Sequence, residues 1–277
     1  MESQHHVKGH ILVTGSSGFI GCHVVLALLE AGYDVVSVAS MKSSVPDKEN
    51  QMPESLRRVQ EMTGKCVNFM KADLLDAEAL REVFKKYEIG CVVHLAALKA
   101  AAQSFKIPLT YYRTNVGGTI NLLKAMKEAN VKRMVYCSSY TVYGDPEYLP
   151  VDERHQAGSG CTNPYGRSKY MGEEILKDLC NTEENWQCVS LRCFTVAGAH
   201  PQGKIGENTG GTPTTLMSFL PLVAKGDRPE LKVFGMDYKT KDGTVERDFV
   251  HVIDVADAHV AAVRRVTQKS REKYEVG

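Results

Sequence analysis

Short apolar runs alternate with amphipathic stretches along most of the chain, a pattern typical of strands followed by helices. The runs predict strands at 11–13, 34–39, 66–73, 91–96, 133–138 and 189–193, and the intervening stretches predict helices at 22–30, 54–63, 77–87, 107–130 and 165–180. Regular alternation of this kind builds a parallel sheet with helices on both faces, and ligands bind beyond the carboxyl ends of its strands. The pattern therefore predicts a doubly wound α/β fold.

The turn after the first predicted strand has a regular glycine spacing. Gly15, Gly18 and Gly21 lie between the apolar run 11–13 and the helix that follows it. Glycine lets the chain turn sharply, lets backbone N–H groups approach a phosphate and lets the helix pack closely on the strand. The helix N-terminus adds its positive dipole end. This G-x-x-G-x-x-G spacing predicts a dinucleotide site in a Rossmann-type fold, the alternative being an ordinary turn.

The pattern becomes irregular after residue 193. Glycine, proline and threonine are frequent at 198–215, and a helix is predicted at 216–225, strands at 232–234 and 249–252, a helix capped by Asp254, and the opening of another strand at 274–277. We therefore predict a dinucleotide-binding domain at 9–193 and a small, incomplete substrate-binding lid at 194–277. Within that lid, the segment 249–266 is expected to return to the first domain.

Composition narrows the possible partners. The 277 residues include 34 basic and 33 acidic side chains, well mixed, so neither nucleic acid nor an anionic membrane is an expected partner. The N-terminus lacks an apolar signal core, and no run approaches the ~18 apolar residues of a membrane span, so we expect a soluble, cytoplasmic protein. Eight cysteines without a C-x-x-C pair are expected to be reduced, and the nine histidines show no metal-binding spacing.

A second motif carries candidate chemistry. Tyr165 and Lys169 lie four residues apart at the start of a predicted helix and therefore share one face. A neighbouring ammonium favours the phenolate and lowers the pKa of a tyrosine, which makes it a usable base. Ser139, at the end of strand 133–138, lies on the same rim of the sheet and could relay a proton or hold a substrate oxygen. These three are the predicted catalytic residues, the alternative being a surface tyrosine and lysine.

The motifs occur in an order that resembles a known family. They are T-G-x-x-G-x-x-G from Thr14, the segments 94–100, 138–144 and 163–169, V-F-G at 233–235 and R-D-F-V-H-V at 247–252. Over essentially 9–277 they resemble the nucleotide-sugar 4-epimerases of the extended short-chain dehydrogenase/reductase family. The resemblance implies NAD-dependent interconversion of UDP-galactose and UDP-glucose through a 4-keto intermediate. It also implies a homodimer, and the N-acetylhexosamine forms as candidate further substrates.

The resemblance also implies which positions contact the ligands. The implied cofactor contacts are Gly15, Gly18, Phe19, Ile20, Gly21, Ser40, Asp73, Leu74, Leu95, Lys99, Lys169 and Cys193. The implied substrate contacts are Lys99, Ser139, Tyr140, Thr141, Thr195, Thr214, Thr215, Leu216, Lys232, Val233, Phe234 and Arg247. The guanidinium of Arg247 suits a UDP phosphate, because its fork matches phosphate geometry.

Several positions depart from the family pattern. Ala39 stands where the family has an acid that accepts hydrogen bonds from the adenosine ribose. The nearby Ser40, Lys42 and Ser43 could donate to a 2′-phosphate, so NADP is a candidate cofactor beside NAD. Other departures are Tyr140 for a small residue, Cys193 for a tyrosine against the nicotinamide, Thr195 for an asparagine, and Thr214 and Thr215 for an asparagine pair.

Three functions remain open at this stage. The first is the sugar-nucleotide epimerase, and the second is an NAD(P)-dependent oxidoreductase of another substrate. The third is a truncated, weakly active or inactive relative that binds NAD(P) or a nucleotide sugar, an expectation that follows because family members continue beyond Gly277. A dehydratase is not expected, because Tyr140 and Thr141 occupy the positions where dehydrating relatives have an Asp-Glu pair.

Overall fold

The computed structural model describes residues 8–41, 52–208, 213, 215–268 and 273–277. The described strands are β1 His10–Thr14, β2 Val35–Ala39, β3 Asn68–Lys71, β4 Ile89–His94, β5 Arg133–Ser139, β6 Gln187–Cys193, β7 Thr195–Ala197, β8 Phe249–His251 and β9 Tyr274–Val276. Seven of them form one parallel sheet in the order β3-β2-β1-β4-β5-β6-β9, and β7 pairs with β8 in a second, two-stranded sheet. The predicted strand at 274–277 is thus confirmed as β9, which pairs with β6.

Helices cover both faces of the larger sheet. The described helices are α1 Phe19–Glu30, α2 Glu54–Thr63, α3 Ala77–Lys86, α4 Ala101–Lys106, α5 Pro108–Tyr111, α6 Gly118–Glu128, α7 Pro164–Thr182, α8 Leu216–Ala224 and α9 Val252–Thr267. One buried cluster joins α1 and α9 to the sheet through residues such as Leu28 and Val263. The other cluster joins α3, α6 and α7 to the opposite face through residues such as Leu122 and Leu176. The predicted doubly wound fold is confirmed.

Two local predictions are wrong, and a third is confirmed with a local irregularity. The helix expected at 107–130 is present from Pro108 to Glu128, with a π-helical turn, Tyr112–Gly117, between α5 and α6. The segment 232–234 is not a strand, and its side chains are exposed. Asp254 does not cap α9, since the side chain of His251 accepts the hydrogen bond from Ile253 N and Asp254 lies in the first turn.

The segments after residue 193 differ in how they pack. In α9, Val260, Val263 and Val266 are buried in the same cluster as the helix α1. In α8, all of whose residues are described, no side chain is buried. The domain boundary at 193/194 remains a prediction, although α9 packs on the large sheet. Across the described parts of the chain, no helix has the length and apolar character needed to cross a bilayer.

Candidate active site

The glycine turn after β1 leaves room for a phosphate. Gly15 has φ +68°, and a Cβ added to it would lie 2.7 Å from Ala96 N. A Cβ on Gly21 would lie 2.2 Å from the Gly15 carbonyl oxygen, so the helix can approach the turn only without a side chain there. Gly18 is exposed, and no side chain caps the N-terminus of α1. These free backbone N–H groups at a helix N-terminus fit a dinucleotide pyrophosphate, and Phe19 and Ile20 form the start of that helix.

A buried histidine connects β1 to the loop after β4. His94 contacts the Thr14 hydroxyl through Nδ1 at 2.7 Å and the Thr119 hydroxyl through Nε2 at 2.9 Å. Because Thr119 donates to the Asn115 carbonyl, the ring donates from Nε2 and accepts at Nδ1. Burial lowers the pKa of His94 to about 3, so the ring is neutral. The Thr14 hydroxyl also accepts from Ala96 N, which fixes the start of the loop that carries Leu95 and Lys99.

The three predicted catalytic residues converge at the carboxyl end of β5. Ser139 is the last residue of β5, and its hydroxyl accepts hydrogen bonds from Thr141 Oγ1 at 3.0 Å and Thr141 N at 3.3 Å. Tyr165, in the first turn of α7, lies near enough to the Ser139 side chain for the hydroxyl to influence its ionisation. Lys169, one turn further, donates from Nζ to the Cys137 carbonyl oxygen at 2.7 Å. A phenol, a hydroxyl and an ammonium therefore lie within one small region, as an acid–base site requires.

Burial dominates the electrostatics of this group. It raises the pKa of Tyr165, the nearby Cys137 raises it further, and the Ser139 hydroxyl acts in the opposite direction. Burial also lowers the pKa of Lys169. The direction for Tyr165 is the reverse of the sequence-based expectation, because the loss of water around the phenol is the largest influence on its pKa. The ammonium is instead bound to the Cys137 carbonyl.

Two of the positions that depart from the family pattern, Cys193 and Tyr140, lie on the same edge of the sheet as the catalytic group. Cys193 ends β6 and pairs in register with Ser139, and its Sγ lies 3.9 Å from the Sγ of Cys137. The hydrogen bond between the thiols lowers the pKa of Cys137 and raises the pKa of Cys193. Tyr140 begins a 3₁₀ turn after Ser139 and stacks on Phe194, with ring centroids 5.3 Å apart. The two stacked rings border the site beside Tyr165, the predicted base.

The adenine side of the predicted cofactor site lies at the ends of β2 and β3. The Asp73 carboxylate accepts from Leu75 N at 2.9 Å, and Leu74 is buried against Gly118 at the start of α6. Ala39 is the last residue of β2 and is followed by the half-buried Ser40. Because an alanine side chain accepts no hydrogen bond, Ala39 supplies nothing for the ribose hydroxyls. The predicted contacts Lys42 and Ser43 lie outside the described residues.

The predicted substrate contacts are only partly brought together. Lys99 forms an ion pair with Glu207 at 2.9 Å, and Thr215, the N-cap of α8, donates to the other Glu207 oxygen at 3.2 Å. Arg247 is exposed and donates to the Glu246 carbonyl. Within the described part of the chain, no hydrogen bond or ion pair connects Arg247 to Tyr165. The remaining predicted contacts lie as follows: Thr195 in β7, Leu216 half-exposed in α8, Lys232, Val233 and Phe234 exposed, and Thr214 outside the described residues.

Two polar groups beside the site were missed from the sequence. Asn115, in the π-helical turn, binds the backbone of Leu98 through both side-chain atoms and donates to the Ser168 hydroxyl at 2.9 Å. Glu173 binds Ser138 and Arg192 below the catalytic group. Only Glu173 had a sequence signal, since it lies four residues after Lys169 and therefore on the same face of α7.

A parallel Rossmann-type sheet, a glycine turn at its first strand and a Ser-Tyr-Lys group at the ends of β5 and α7 define the short-chain dehydrogenase/reductase class of α/β proteins. A family profile described as "NAD dependent epimerase/dehydratase family" matches residues 11–277. The chain belongs to that family.

Individual relatives show which enzymes within that family the chain is similar to. A UDP-glucose 4-epimerase of Mus musculus is 50% identical over 259 residues, which cover 94% of this chain and 74% of that protein. One of Bacillus subtilis is 45% identical and covers 96% of this chain and 76% of that protein. The crystal structure of UDP-glucose 4-epimerase from Bifidobacterium longum in complex with NAD⁺ and UDP matches with a TM-score of 0.89 at 41% identity, covering 96% of this chain and 76% of that one. The resemblance drawn from the motifs is confirmed.

Proposed function

We propose that the protein interconverts UDP-galactose and UDP-glucose by oxidation and re-reduction at C4 of the hexose, with NAD as cofactor. The observation that carries the proposal is the convergence of Ser139, Tyr165 and Lys169 at the carboxyl end of β5. The glycine turn of β1, two strands away in the same sheet, fits the dinucleotide. Relatives that carry the name UDP-glucose 4-epimerase support the choice of substrate.

The chain's own residues would perform the proton chemistry. Tyr165, as the phenolate, accepts the proton of the C4 hydroxyl, and Ser139 holds the same oxygen by a hydrogen bond. NAD⁺, when bound, supplies the hydride acceptor and a positive charge that favours the phenolate. Tyr165 then returns its proton to the oxygen of the 4-keto sugar, after the sugar has turned to present its other face. Lys169 binds the nicotinamide ribose and keeps a positive charge beside the phenol.

The finer choice of cofactor follows from Ala39. We propose that NAD is the working cofactor, that it is held without the usual carboxylate on its adenosine ribose, and that NADP is accepted as well. Ser40 follows β2 directly, and its hydroxyl is the proposed donor to a ribose substituent. Titrating the protein with each dinucleotide tests this proposal. A strong preference for NAD, with tight retention during purification, would contradict it.

Conversion of UDP-galactose labelled with tritium at C4 tests the proposed function. An epimerase keeps the label on the sugar through repeated turnover, because the hydride returns to the carbon it left. An oxidoreductase of the sugar passes the label to free cofactor, and a nucleotide-binding relative binds without turnover. The same assay with UDP-N-acetylgalactosamine decides whether the N-acetylhexosamine forms are substrates.

We further propose that two copies of the chain associate through α4, α5 and α7. Phe105 and Leu109 are 62% and 82% exposed, and Met171, on the neighbouring α7, is 42% exposed. Large apolar side chains clustered on adjacent helices are typical of protein interfaces. Sedimentation velocity of the wild type and of Leu109→Glu tests the proposal, since a dimer should shift to monomer in the variant. A cytoplasmic location remains a prediction.

A further inference from the structure

A buried ion pair lies directly beneath the catalytic group. Glu173, on α7, is 2% exposed in its side chain, and its partner Arg192, on β6, is 8% exposed. Arg192 donates from Nη2 to Glu173 Oε2 at 2.7 Å and from Nε to Oε1 at 3.1 Å. The Ser138 hydroxyl, on β5, donates to the same carboxylate. Glu173 therefore ties one helix to two strands.

Each partner of Glu173 is next to a residue of the proposed active site. Ser138 precedes Ser139, and it follows Cys137, whose carbonyl accepts the hydrogen bond of the Lys169 ammonium at 2.7 Å. Arg192 precedes Cys193, which pairs in register with Ser139. Glu173 itself lies one helical turn beyond Lys169. Movement of this carboxylate would therefore move both strand ends and the carbonyl that orients Lys169.

Stability alone is a poor reason for this arrangement. Removing two charges from water costs several kcal/mol per ion, and a well-packed apolar pair of similar volume is often as stabilising or more so. The Arg192 guanidinium also stacks over the Tyr143 ring at 4.8 Å, which holds it in one orientation. The network also leaves the buried Arg192 Nη1 without a hydrogen-bond partner among the described residues, a further cost to stability. A charge network of this kind beside an acid–base site is better explained by the geometry that it imposes.

We infer that Glu173 is a positioning residue for the proposed reaction, acting through Ser138 and Arg192 to hold the ends of β5 and β6 and the Cys137 carbonyl against Lys169. The inference rests on the proposed function of Tyr165 and Lys169. Its test must therefore separate a fault in the geometry of the site from a loss of folding stability.

The charge of Glu173 affects the pKa of Lys169, a quantity that can be measured independently of the stability of the fold. Burial lowers the pKa of Lys169, whereas the interactions with Cys137, Cys193 and Glu173 raise it. Tyr136, on β5, lies beneath the Lys169 ammonium, which is 4.9 Å from the centroid of its ring, and the neutral His94, on β4, also interacts with the Lys169 charge. Replacing Glu173 with glutamine removes one of the influences that raise the pKa of Lys169, so Lys169 should lose its proton at lower pH.

The experiment compares Glu173→Gln with Glu174→Gln in the full chain. Glu174 is the adjacent residue of α7, is half-buried and interacts with Tyr170, so its change is chemically identical but lies outside the network. For Glu173→Gln we expect kcat to fall about 10²-fold, as a misplaced catalytic group would cause, with KM for UDP-galactose within about twofold of wild type. The basic limb of the kcat profile should move to lower pH. Glu174→Gln should change neither quantity.

Two further variants keep the test decisive if Glu173→Gln folds poorly. Ser138→Ala removes only the hydroxyl tether and should lower kcat about tenfold with Tm close to wild type. The double change Glu173→Gln with Arg192→Met removes the unpaired charge and should restore Tm but not kcat. Recovery of kcat together with Tm, or unchanged kcat in Ser138→Ala, would overturn the inference and leave a purely structural ion pair.

A binding measurement separates this inference from the proposed function. Because Lys169 is proposed to hold the nicotinamide ribose, NAD affinity of the protein should fall about tenfold in Glu173→Gln and stay unchanged in Glu174→Gln. That ratio can be measured by fluorescence titration without any sugar turnover. A wild-type protein that fails to convert UDP-galactose refutes the proposed function, whereas equal NAD affinities in the two variants refute the positioning role.

Discussion

The environment of Tyr165 opposes its ionisation, and this bears on how the proposed base works. Burial and the nearby Cys137 raise its pKa, and only the Ser139 hydroxyl among the main influences lowers it. A base with a raised pKa needs a further positive charge before it can take a proton near neutral pH. The proposed chemistry supplies that charge with the oxidised cofactor, so proton transfer becomes coupled to the cofactor's presence.

The role of the Tyr165 hydroxyl can be tested by its removal. In Tyr165→Phe we expect kcat to fall by about 10²–10⁴-fold, the usual contribution of a general base. NAD binding should be unchanged, because the proposed cofactor contacts lie on Lys169 and the glycine turn. The measurements are the rate of UDP-galactose conversion and an NAD titration of the same preparation. An unchanged kcat would remove Tyr165 from the mechanism.

The pH dependence of kcat should show the influence of the Cys137 thiol on the pKa of Tyr165. The titratable groups that act on Tyr165 include Cys137, Cys193 and Tyr140, and each raises its pKa. Replacing Cys137 with serine removes a thiol that raises the pKa of Tyr165, so this pKa should fall and the phenolate should form at lower pH. The acidic limb of the kcat profile should therefore move to lower pH in Cys137→Ser.

A matched control for this change is Cys91→Ser, which alters a fully buried thiol of β4 outside the catalytic group. Both changes introduce a hydroxyl into the interior and should lower Tm. Only Cys137→Ser should shift the profile. A shift to higher pH, or an equal shift in both variants, would show that Cys137 does not act on the base.

Among individual residues, the sequence predicted those site residues that share one element or one edge of the sheet. Tyr165 and Lys169 were found because a four-residue spacing places them on one helix face, and Ser139 because it ends a strand. Asn115 and Arg192 were missed because their contacts are made to Ser168 and Glu173, residues on other elements. Those contacts depend on how helices dock on the sheet, which single-sequence patterns do not specify.

Among the elements, the junction of β1 and α1 depends most strictly on its residue types. A Cβ on Gly21 would lie 2.2 Å from the Gly15 carbonyl oxygen, so Gly21→Ala must push the helix from the turn. We expect a stability loss of about 1–3 kcal/mol, as for overpacking elsewhere, together with a marked loss of NAD affinity. Thermal unfolding and an NAD titration measure the two effects.

Gly117→Ala provides the comparison. A Cβ there would have no neighbour within 4 Å, and Gly117 lies in helical conformation at the end of the π-helical turn. Alanine is the better helix former by about 1 kcal/mol, so this variant should be as stable as wild type or more so, with NAD affinity retained. If Gly21→Ala behaved in the same way, the close contact of turn and helix would have no part in cofactor binding.

Element predictions succeeded where the apolar period was clear and failed where a short apolar run has no partner strand. The helix α2 was predicted with the bounds that it has, because its apolar positions face one side. The helix predicted at 107–130 is present from Pro108 to Glu128, and only the π-helical turn at Tyr112–Gly117 was not predicted. The strand expected at 232–234 has the composition of a strand without a neighbour to pair with in the described residues.

For the whole molecule, the parallel sheet and the region around α8 differ in how much apolar surface they bury. The sheet is covered on both faces by two extensive clusters of buried side chains. The helix α8 has no buried side chain, and large apolar residues such as Phe234 and Met236 are exposed. The alternating pattern predicted the sheet, whereas the segment 227–248 gave no comparable pattern, because little of it is buried.

This difference leads to a prediction for hydrogen exchange. Local opening costs little free energy where few apolar contacts are broken, so amides of α8 and of 227–248 should exchange much faster than those of β1, β4 and β5.

NAD should slow exchange at the β1–α1 turn with little effect on α8. UDP should slow exchange in α8, if the link from Thr215 through Glu207 to Lys99 connects substrate binding to that helix. Exchange measured by mass spectrometry on free protein and on each complex provides the test, with Glu207→Gln as the variant that breaks the link. Protection of α8 equal to that of β5 in the free protein would contradict the expected difference in stability, and a UDP effect retained in Glu207→Gln would exclude Glu207 as the connection.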